Sequence, residues 1–302
     1  MIATLKIRSK TIKVARQWLY QNDYIEVQGP TIIPAEEDWP TYFKTKIFDK
    51  KAHLTQGLHP YAQVFAEKLE KIYTFAPSFR AEKTSTNRHL AEYWRIEVVQ
   101  QSNLDTIIKV QEELIEHICQ NLSKSSKDTL SILNSSTKHL EKVKTPFDRL
   151  TYEEAIETLQ KHGSKIVWGQ PIDHISEKNL SHMFEQPFFI TEFPINSETS
   201  FYETIKETPE LTMSVDLIAP QGYGELSSGS QRMTNKKELS KKMQEIEVNP
   251  KDQQWYLNFL KHNSAPQSGF AIGFERLIQW ICNLKDIKDT IAFPRSHDNI
   301  YP

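Results

Sequence analysis

The sequence predicts an α+β fold, a largely antiparallel sheet flanked by helices. Three observations lead there. Residues 71–81 (KIYTFAPSFRA) and 93–100 (YWRIEVVQ) are rich in β-formers and are joined through the polar stretch KTSTNR, as two antiparallel strands with a long loop would be. Strand character returns at residues 187–194 (PFFITEFP) and 211–220 (LTMSVDLIAP), followed by GYGELSSGSQR. Amphipathic segments with helical spacing lie before and between these runs.

Taken in order, residues 9–21 carry Ile12, Ala15 and Leu19, with Val14 and Trp18 beside them, on one helical face, and Asn22-Asp23 supplies a stop. A strand at 24–27 ends at Gly29-Pro30, and an acidic loop with Glu36, Glu37 and Asp38 follows. Residues 104–122 repeat Leu104, Ile107, Ile108, Leu114, Ile115 and Ile118 as an amphipathic helix. The Ser- and Lys-rich tract 123–129 reads as a surface connection. Thr151 followed by Glu154 is a capping box opening a helix over 150–162. Two helical stretches around 235–261 and a strand-to-helix unit from Ser268 close the chain.

A length of 302 residues suits one large domain, 1–302, with a helical insertion at about 102–185. Lysine plus arginine total 37 against 39 acids, a net charge of -2, so bulk charge gives polyphosphate binding no support. The two cysteines, Cys119 and Cys282, stand far apart without a metal-ligand spacing, and are expected to be small buried apolar residues. No apolar run approaches the ~20 residues of a membrane helix. The N-terminal stretch lacks an apolar leader, and the expectation is a cytoplasmic protein with no membrane partner.

Three constellations could carry chemistry. In FRAEKTSTNRHLAEYWRIE, a two-residue period sets Arg80 with Glu82, and Tyr93 with Arg95, on one face. A guanidinium forks onto phosphate, a carboxylate accepts from an exocyclic amine, and a ring stacks on a base. Alone, an Arg/Glu pair on a strand is more often a cross-strand ion pair. In VDLIAPQGYGELSSGSQR, Asp216, Glu225 and Ser228 offer the hard oxygens that Mg²⁺ takes alongside nucleotide phosphates; a glycine-rich hairpin with incidental acids is the alternative. In SGFAIGFERLIQWI, Arg276 stands at a helix start, suited to phosphate, although a buried pair with Glu275 would use it as well. Neither a Walker A loop nor a GxGxxG fingerprint occurs.

In this order the three segments resemble the three signature motifs of class II aminoacyl-tRNA synthetases. Pro30 resembles the motif 1 proline, FRAE with RHLAEYW resembles motif 2, and GFAIGFERL resembles motif 3. RHLAEYWRIE is similar to the asparaginyl version within the asparaginyl/aspartyl branch, and GELSSGSQR, WYLNF and IAFPR extend the likeness from about Lys6 to Pro302. The resemblance implies ATP as a substrate, with Arg80 on the α-phosphate and amino-acid carboxylate, Glu82 on the adenine amino group, His89 near the terminal phosphates, Tyr93 under adenine and Arg276 on the γ-phosphate. It implies Mg²⁺ at Asp216, Glu225 and Ser228, Arg232 facing the substrate side chain, and a homodimer through motif 1. The implied reaction is in-line attack of an amino-acid carboxylate on the α-phosphorus of ATP.

The likeness has departures. The asparaginyl and aspartyl enzymes begin with an anticodon-binding barrel, for which this sequence shows no counterpart ahead of motif 1. Where the family reads its amino acid with a stretch ending in Glu for asparagine or Lys for aspartate, LTQGLHPYAQ offers His59 and Gln63, with Ala62 beside them. One of the acids at 36–38, Glu37 foremost, is a candidate for the α-amino group, though a solvated acidic loop explains them too. The first functional expectation is therefore an AMP-forming ligase resembling the archaeal-type asparagine synthetase, joining aspartate to ammonia without tRNA. Alternatives are a truncated transferase aminoacylating a tRNA or protein through Lys83 and Arg88 of the motif 2 loop, an amide ligase for another amino acid, and a non-catalytic paralogue.

Overall fold

A computed structural model describes residues 1–34, 41–83, 86–195, 201–245, 248–261 and 265–301. Helix α1 (Ile2–Gln21) begins well before the predicted Ser9, because Ala3, Thr4, Ile7 and Arg8 extend the buried stripe of Thr11, Val14, Ala15, Trp18 and Leu19 by two turns. Its end is where the sequence puts it. Asn22 Nδ2 donates to the Trp18 carbonyl, and Asp23 takes the left-handed conformation at φ 65°.

Strands β1 (Ile25–Glu26), β2 (Ile32–Ile33), β3 (Lys44–Ile47) and β4 (Lys50–Leu54) precede helix α2 (Tyr61–Leu69). The predicted hairpin follows as β5 (Lys71–Phe79) and β6 (Glu92–Gln101), in antiparallel register from Lys71 opposite Gln100 to Phe79 opposite Glu92. Helix α3 (Leu104–Ser125) is capped by Asn103, whose side chain accepts the Thr106 N–H. Its end and helix α4 (Lys127–Ser131) occupy the tract expected to be a surface connection. Buried Ser123, Ser126 and Leu130 hold that tract against the core.

Helix α5 (Lys138–Glu141), β7 (Asp148–Thr151), α6 (Tyr152–Lys161) and α7 (His174–Ser181) come next. The capping box at Thr151 and Glu154 is formed, both reciprocal bonds being present. The chain closes with β8 (Phe188–Thr191), β9 (Ser214–Ala219), β10 (Gly224–Gln231), α8 (Lys236–Glu245), α9 (Gln254–Phe259), β11 (Gln267–Gly273) and α10 (Phe274–Ile281).

Among the described residues eight strands form one sheet, in the order β1-β5-β6-β11-β10-β9-β8-β7. The six inner strands run antiparallel to one another, while the edge strands β1 and β7 run parallel to β5 and β8. Strands β2, β4 and β3 make a separate small sheet. A mixed α/β molecule with a mostly antiparallel sheet is thus what the sequence predicts and what the chain forms.

Period two on β6 decides what faces what. Ile96 and Val98 join the core that α1, α3 and α10 build, whereas Tyr93, Arg95 and Glu97 face the other way. Cys119 and Cys282 are free thiols buried in that core.

Candidate active site

The polar face of the central strands floors an open cavity of about 180 Å³. Cross-strand register explains the assembly. Glu97 lies opposite Ala271, Ala271 opposite Ser228, and Ser228 opposite Asp216, so one row across four strands presents these residues on the same face. A register shift between Glu225 and Ser227 makes a bulge in β10, and Glu225 enters the cavity wall beyond it. Ser228 lines the cavity; Asp216, one strand further out, does not.

At one end, Arg80 and Glu82 have left β5, which stops at Phe79, and they pair at 3.3 Å. Tyr93 raises the Arg80 pKa most, burial opposes it, and Glu82 and Glu225 add to the rise. Arg276, the third residue of α10, places Nη1 3.0 Å from Glu225 Oε2 and 3.1 Å from the Glu225 carbonyl oxygen. Its Nη2 lies 3.2 Å from His89 Nε2, and His89 Nδ1 lies 2.7 Å from Thr86 Oγ1. A guanidinium only donates, so His89 Nε2 holds a lone pair and the ring proton sits on Nδ1. The electrostatics agree, since burial and then Arg276 bring the His89 pKa down to about 4.

Glu225 is fixed from two sides. Burial pushes its carboxyl up, but Arg276 and Arg80 together bring it below the ordinary value. Its backbone N–H donates to Glu177 Oε1 at 2.7 Å, and the same oxygen pairs with Arg88 Nη2 at 2.8 Å. Gly224 (φ +75°) makes this approach possible, because a Cβ there would lie 1.8 Å from Glu177 Oε1. Arg88, read from sequence as a loop residue pointing outward to an acceptor, is instead buried and committed to this pair.

Glu275 is likewise not the partner of Arg276. It pairs at 2.6 Å with Arg8 of α1 and accepts the Trp94 N–H at 2.8 Å, which ties α1 and α10 to the strand carrying Tyr93.

The other end holds His59, Arg95, Glu97, Arg232, Phe201 and Tyr202. Glu97 receives the Leu58 N–H at 3.0 and 3.1 Å, while Arg95 donates to the Gln56 carbonyl, so the segment carrying His59 is held on the strand. Gly57 has no Cβ to meet the Arg95 guanidinium. Arg232 is buried, donates to Ser230 Oγ at 2.9 Å and lies 5.3 Å from the Tyr202 ring centre. Burial first, then Arg232, hold the His59 pKa well below its ordinary value. Gln63 is fully buried on α2, behind His59, with His59 Nε2 2.7 Å from its Oε1 and the Tyr256 hydroxyl donating to the same oxygen. It does not line the cavity. Glu37 lies outside the described residues.

Glu97, Glu177 and Gln56 were not picked out from sequence. The i, i+2 pattern that sets Tyr93 with Arg95 could have been carried on to Glu97; nothing local marks Glu177, which arrives from α7.

Among the described residues no three His, Cys, Asp or Glu side chains converge as a metal cage. The cavity lining carries the carboxylates of Glu97, Glu225 and Glu275 and the hydroxyls of Tyr93, Tyr202 and Ser228; of the three residues expected to hold Mg²⁺, Glu225 and Ser228 are among them and Asp216 is not. That donor set fits Mg²⁺, which commonly binds one or two carboxylates and completes its shell with water and substrate phosphates.

The family model described as tRNA synthetases class II (D, K and N) matches residues 1–297. The chain belongs to that family. It is an ATP-dependent ligase of the aminoacyl-adenylate-forming kind. It is 36% identical over 300 residues to the asparagine–tRNA ligase of Thermococcus gammatolerans, covering 99% of this chain and 70% of that one. To the asparagine–tRNA ligase of Pyrococcus abyssi it is 36% identical over 302 residues, covering 99% and 70%. The crystal structure of asparaginyl-tRNA synthetase from Pyrococcus horikoshii complexed with asparaginyl-adenylate superposes with a TM-score of 0.97 at 34% identity, covering 99% and 70%. The Entamoeba histolytica enzyme in complex with asparaginyl-adenylate gives 0.92 at 30%, covering 99% and 68%. These relatives are named for tRNA, not for ammonia, and weigh for the acceptor that the sequence reading ranked second. Among the described residues no helix is long and apolar enough to cross a membrane.

Proposed function

We propose that this synthetase-family protein activates asparagine as its adenylate and transfers the asparaginyl group to the 3′ end of a tRNA. The observation that carries the proposal is one cavity with two distinct ends. Arg80, His89, Tyr93, Glu225 and Arg276 make one polar end, with Glu82 paired to Arg80 beside it, and Arg232 with His59 makes the other. The asparaginyl-adenylate complexes of the structural neighbours support it.

In this reading Arg80 draws the amino-acid carboxylate and the α-phosphate together, and Arg276, with neutral His89 beside it, receives the departing pyrophosphate. The carboxylate oxygen bonds to the α-phosphorus as the bond to the β-phosphate bridging oxygen breaks. A ribose hydroxyl of the tRNA end then attacks the carbonyl carbon and releases AMP. Glu225 and Ser228 are the protein oxygens that would hold Mg²⁺, which would supply charge neutralisation for the phosphates. No protein nucleophile is needed; positioning and charge stabilisation do the chemistry.

Aspartate is the second reading, and one observation favours it. Arg232 is buried with no carboxylate in ion-pair range among the described residues, and Gln63, behind His59, is neutral. Purified protein with Mg-ATP, unfractionated tRNA and labelled asparagine or aspartate separates the readings. Label precipitating with RNA in the asparagine reaction is expected. Label on RNA only from aspartate would move the assignment to the second reading, and asparagine formed from aspartate and ammonium without RNA would overturn both.

A further inference from the structure

The β3–β4 hairpin carries charge that the overall composition conceals. Residues 44–51 hold four lysines and one aspartate, a net +3 in a chain whose total is -2. Lys46 lies directly opposite Lys51, and register puts both on the face that also bears Lys44 and His53. Like charges directly opposite one another weaken a strand pair. Yet Lys46, Lys50 and Lys51 are exposed and have no carboxylate in ion-pair range among the described residues. That face lines a groove with Val248, Asn249 and Asp252, the last a single acid against the lysines among the described residues. At the hairpin tip Phe48 holds φ 53° with 94% of its surface exposed.

We infer that this hairpin is an RNA-docking surface, gripping the phosphate backbone near the acceptor end of the tRNA, with Phe48 available to stack on a base. The inference rests on the tRNA reading above. Basic side chains beside an exposed ring are what single-stranded nucleic acid requires, because phosphates meet the cations and any base offers a π face. Position supports it as well. Strand β4 ends at Leu54 and runs straight into Gln56, Gly57 and His59 of the cavity wall. Lys51 is five residues from Gln56, at most about 18 Å along an extended chain, within reach of an RNA whose last nucleotide enters the cavity. A second copy of this chain fits poorly, since a two-fold contact would set lysine against lysine.

The test compares wild type with Lys46→Glu and Phe48→Ala, using unfractionated tRNA and a minihelix RNA ending in single-stranded CCA. Lys46→Glu should fold, because it replaces a repulsive pair with an attractive one across from Lys51, while cutting the hairpin charge to +1. The expected result is RNA affinity weakened on the order of tenfold and a salt dependence reduced by roughly one to two units, with tRNA-independent ATP–pyrophosphate exchange unchanged. Phe48→Ala should weaken minihelix binding with the salt slope intact. Wild-type RNA binding that neither variant alters overturns the inference and leaves the tRNA reading standing. Failure of the wild type itself to bind either RNA overturns both. Loss of a dimer in Lys46→Glu by sedimentation, with RNA binding unaltered, assigns the face to a second copy and overturns the inference.

Discussion

Arg276 holds Glu225 twice, at the Glu225 carboxylate (3.0 Å) and at the Glu225 carbonyl oxygen (3.1 Å), and from 3.2 Å the same guanidinium adds to burial in keeping His89 neutral. One cation thereby holds the candidate metal-binding carboxylate and contributes to the protonation state of the neighbouring ring. Arg276→Ala should lower amino-acid-dependent ATP–pyrophosphate exchange by roughly 10²–10³-fold, the size expected for losing a preorganised charge contact. The His89 pKa should rise, since Arg276 is the largest charge lowering it. Enzyme kinetics and histidine NMR titration read the two effects separately.

Gly224→Ala tests how Glu225 is held. The new Cβ would meet Glu177 Oε1 and Arg88 Nη2 at a positive φ, so the Arg88–Glu177 pair must give way. A stability loss on the order of 1–3 kcal/mol is expected, with exchange activity falling further than thermal unfolding alone explains. Wild-type activity at an unchanged melting temperature would show that Glu177 does not fix the Glu225 backbone.

Acid should destabilise the fold through its neutral histidines. His89 titrates near 4 in the folded chain and near 6.5 unfolded, and His59 is lowered in the same sense. The unfolded state therefore binds more protons through that window. Stability from these groups is complete above about pH 6.5 and is lost as pH falls toward 4. Glu275, raised by burial, acts in the opposite sense, so the comparison is between wild type and His89→Gln. The variant should lose less melting temperature over the window.

Gln63→Glu tests the layer behind His59. A carboxylate there would sit where Oε1 now meets His59 Nε2 and the Tyr256 hydroxyl. The His59 pKa should climb from its depressed value, and the ratio of kcat/KM for asparagine to that for aspartate should shift by roughly tenfold or more. An unmoved ratio would mean that Gln63 does not act on the substrate through His59.

Local chemistry made much of this legible. The β5–β6 hairpin, the capping box at Thr151, the α3 stripe and the strand-to-helix step into Arg276 each depend on residues a few positions apart. What escaped depends on distant parts of the chain meeting. Arg88 looks like a loop cation until α7 brings Glu177 to it, and Glu275 looks like the neighbour of Arg276 until Arg8 arrives from α1. Gln63 aligns with a substrate-reading position, yet α2 turns it behind His59. The Lys46–Lys51 pair was invisible to composition because acids elsewhere cancel it.

The most direct measurement is ATP–pyrophosphate exchange by the purified protein without tRNA, run against asparagine, aspartate and no amino acid, for wild type and Arg80→Ala. Exchange that depends on asparagine and disappears in Arg80→Ala is the predicted result. A folded wild type that exchanges with no amino acid, or an Arg80→Ala variant that exchanges as fast as wild type, would contradict the assignment of this cavity as an adenylate-forming site.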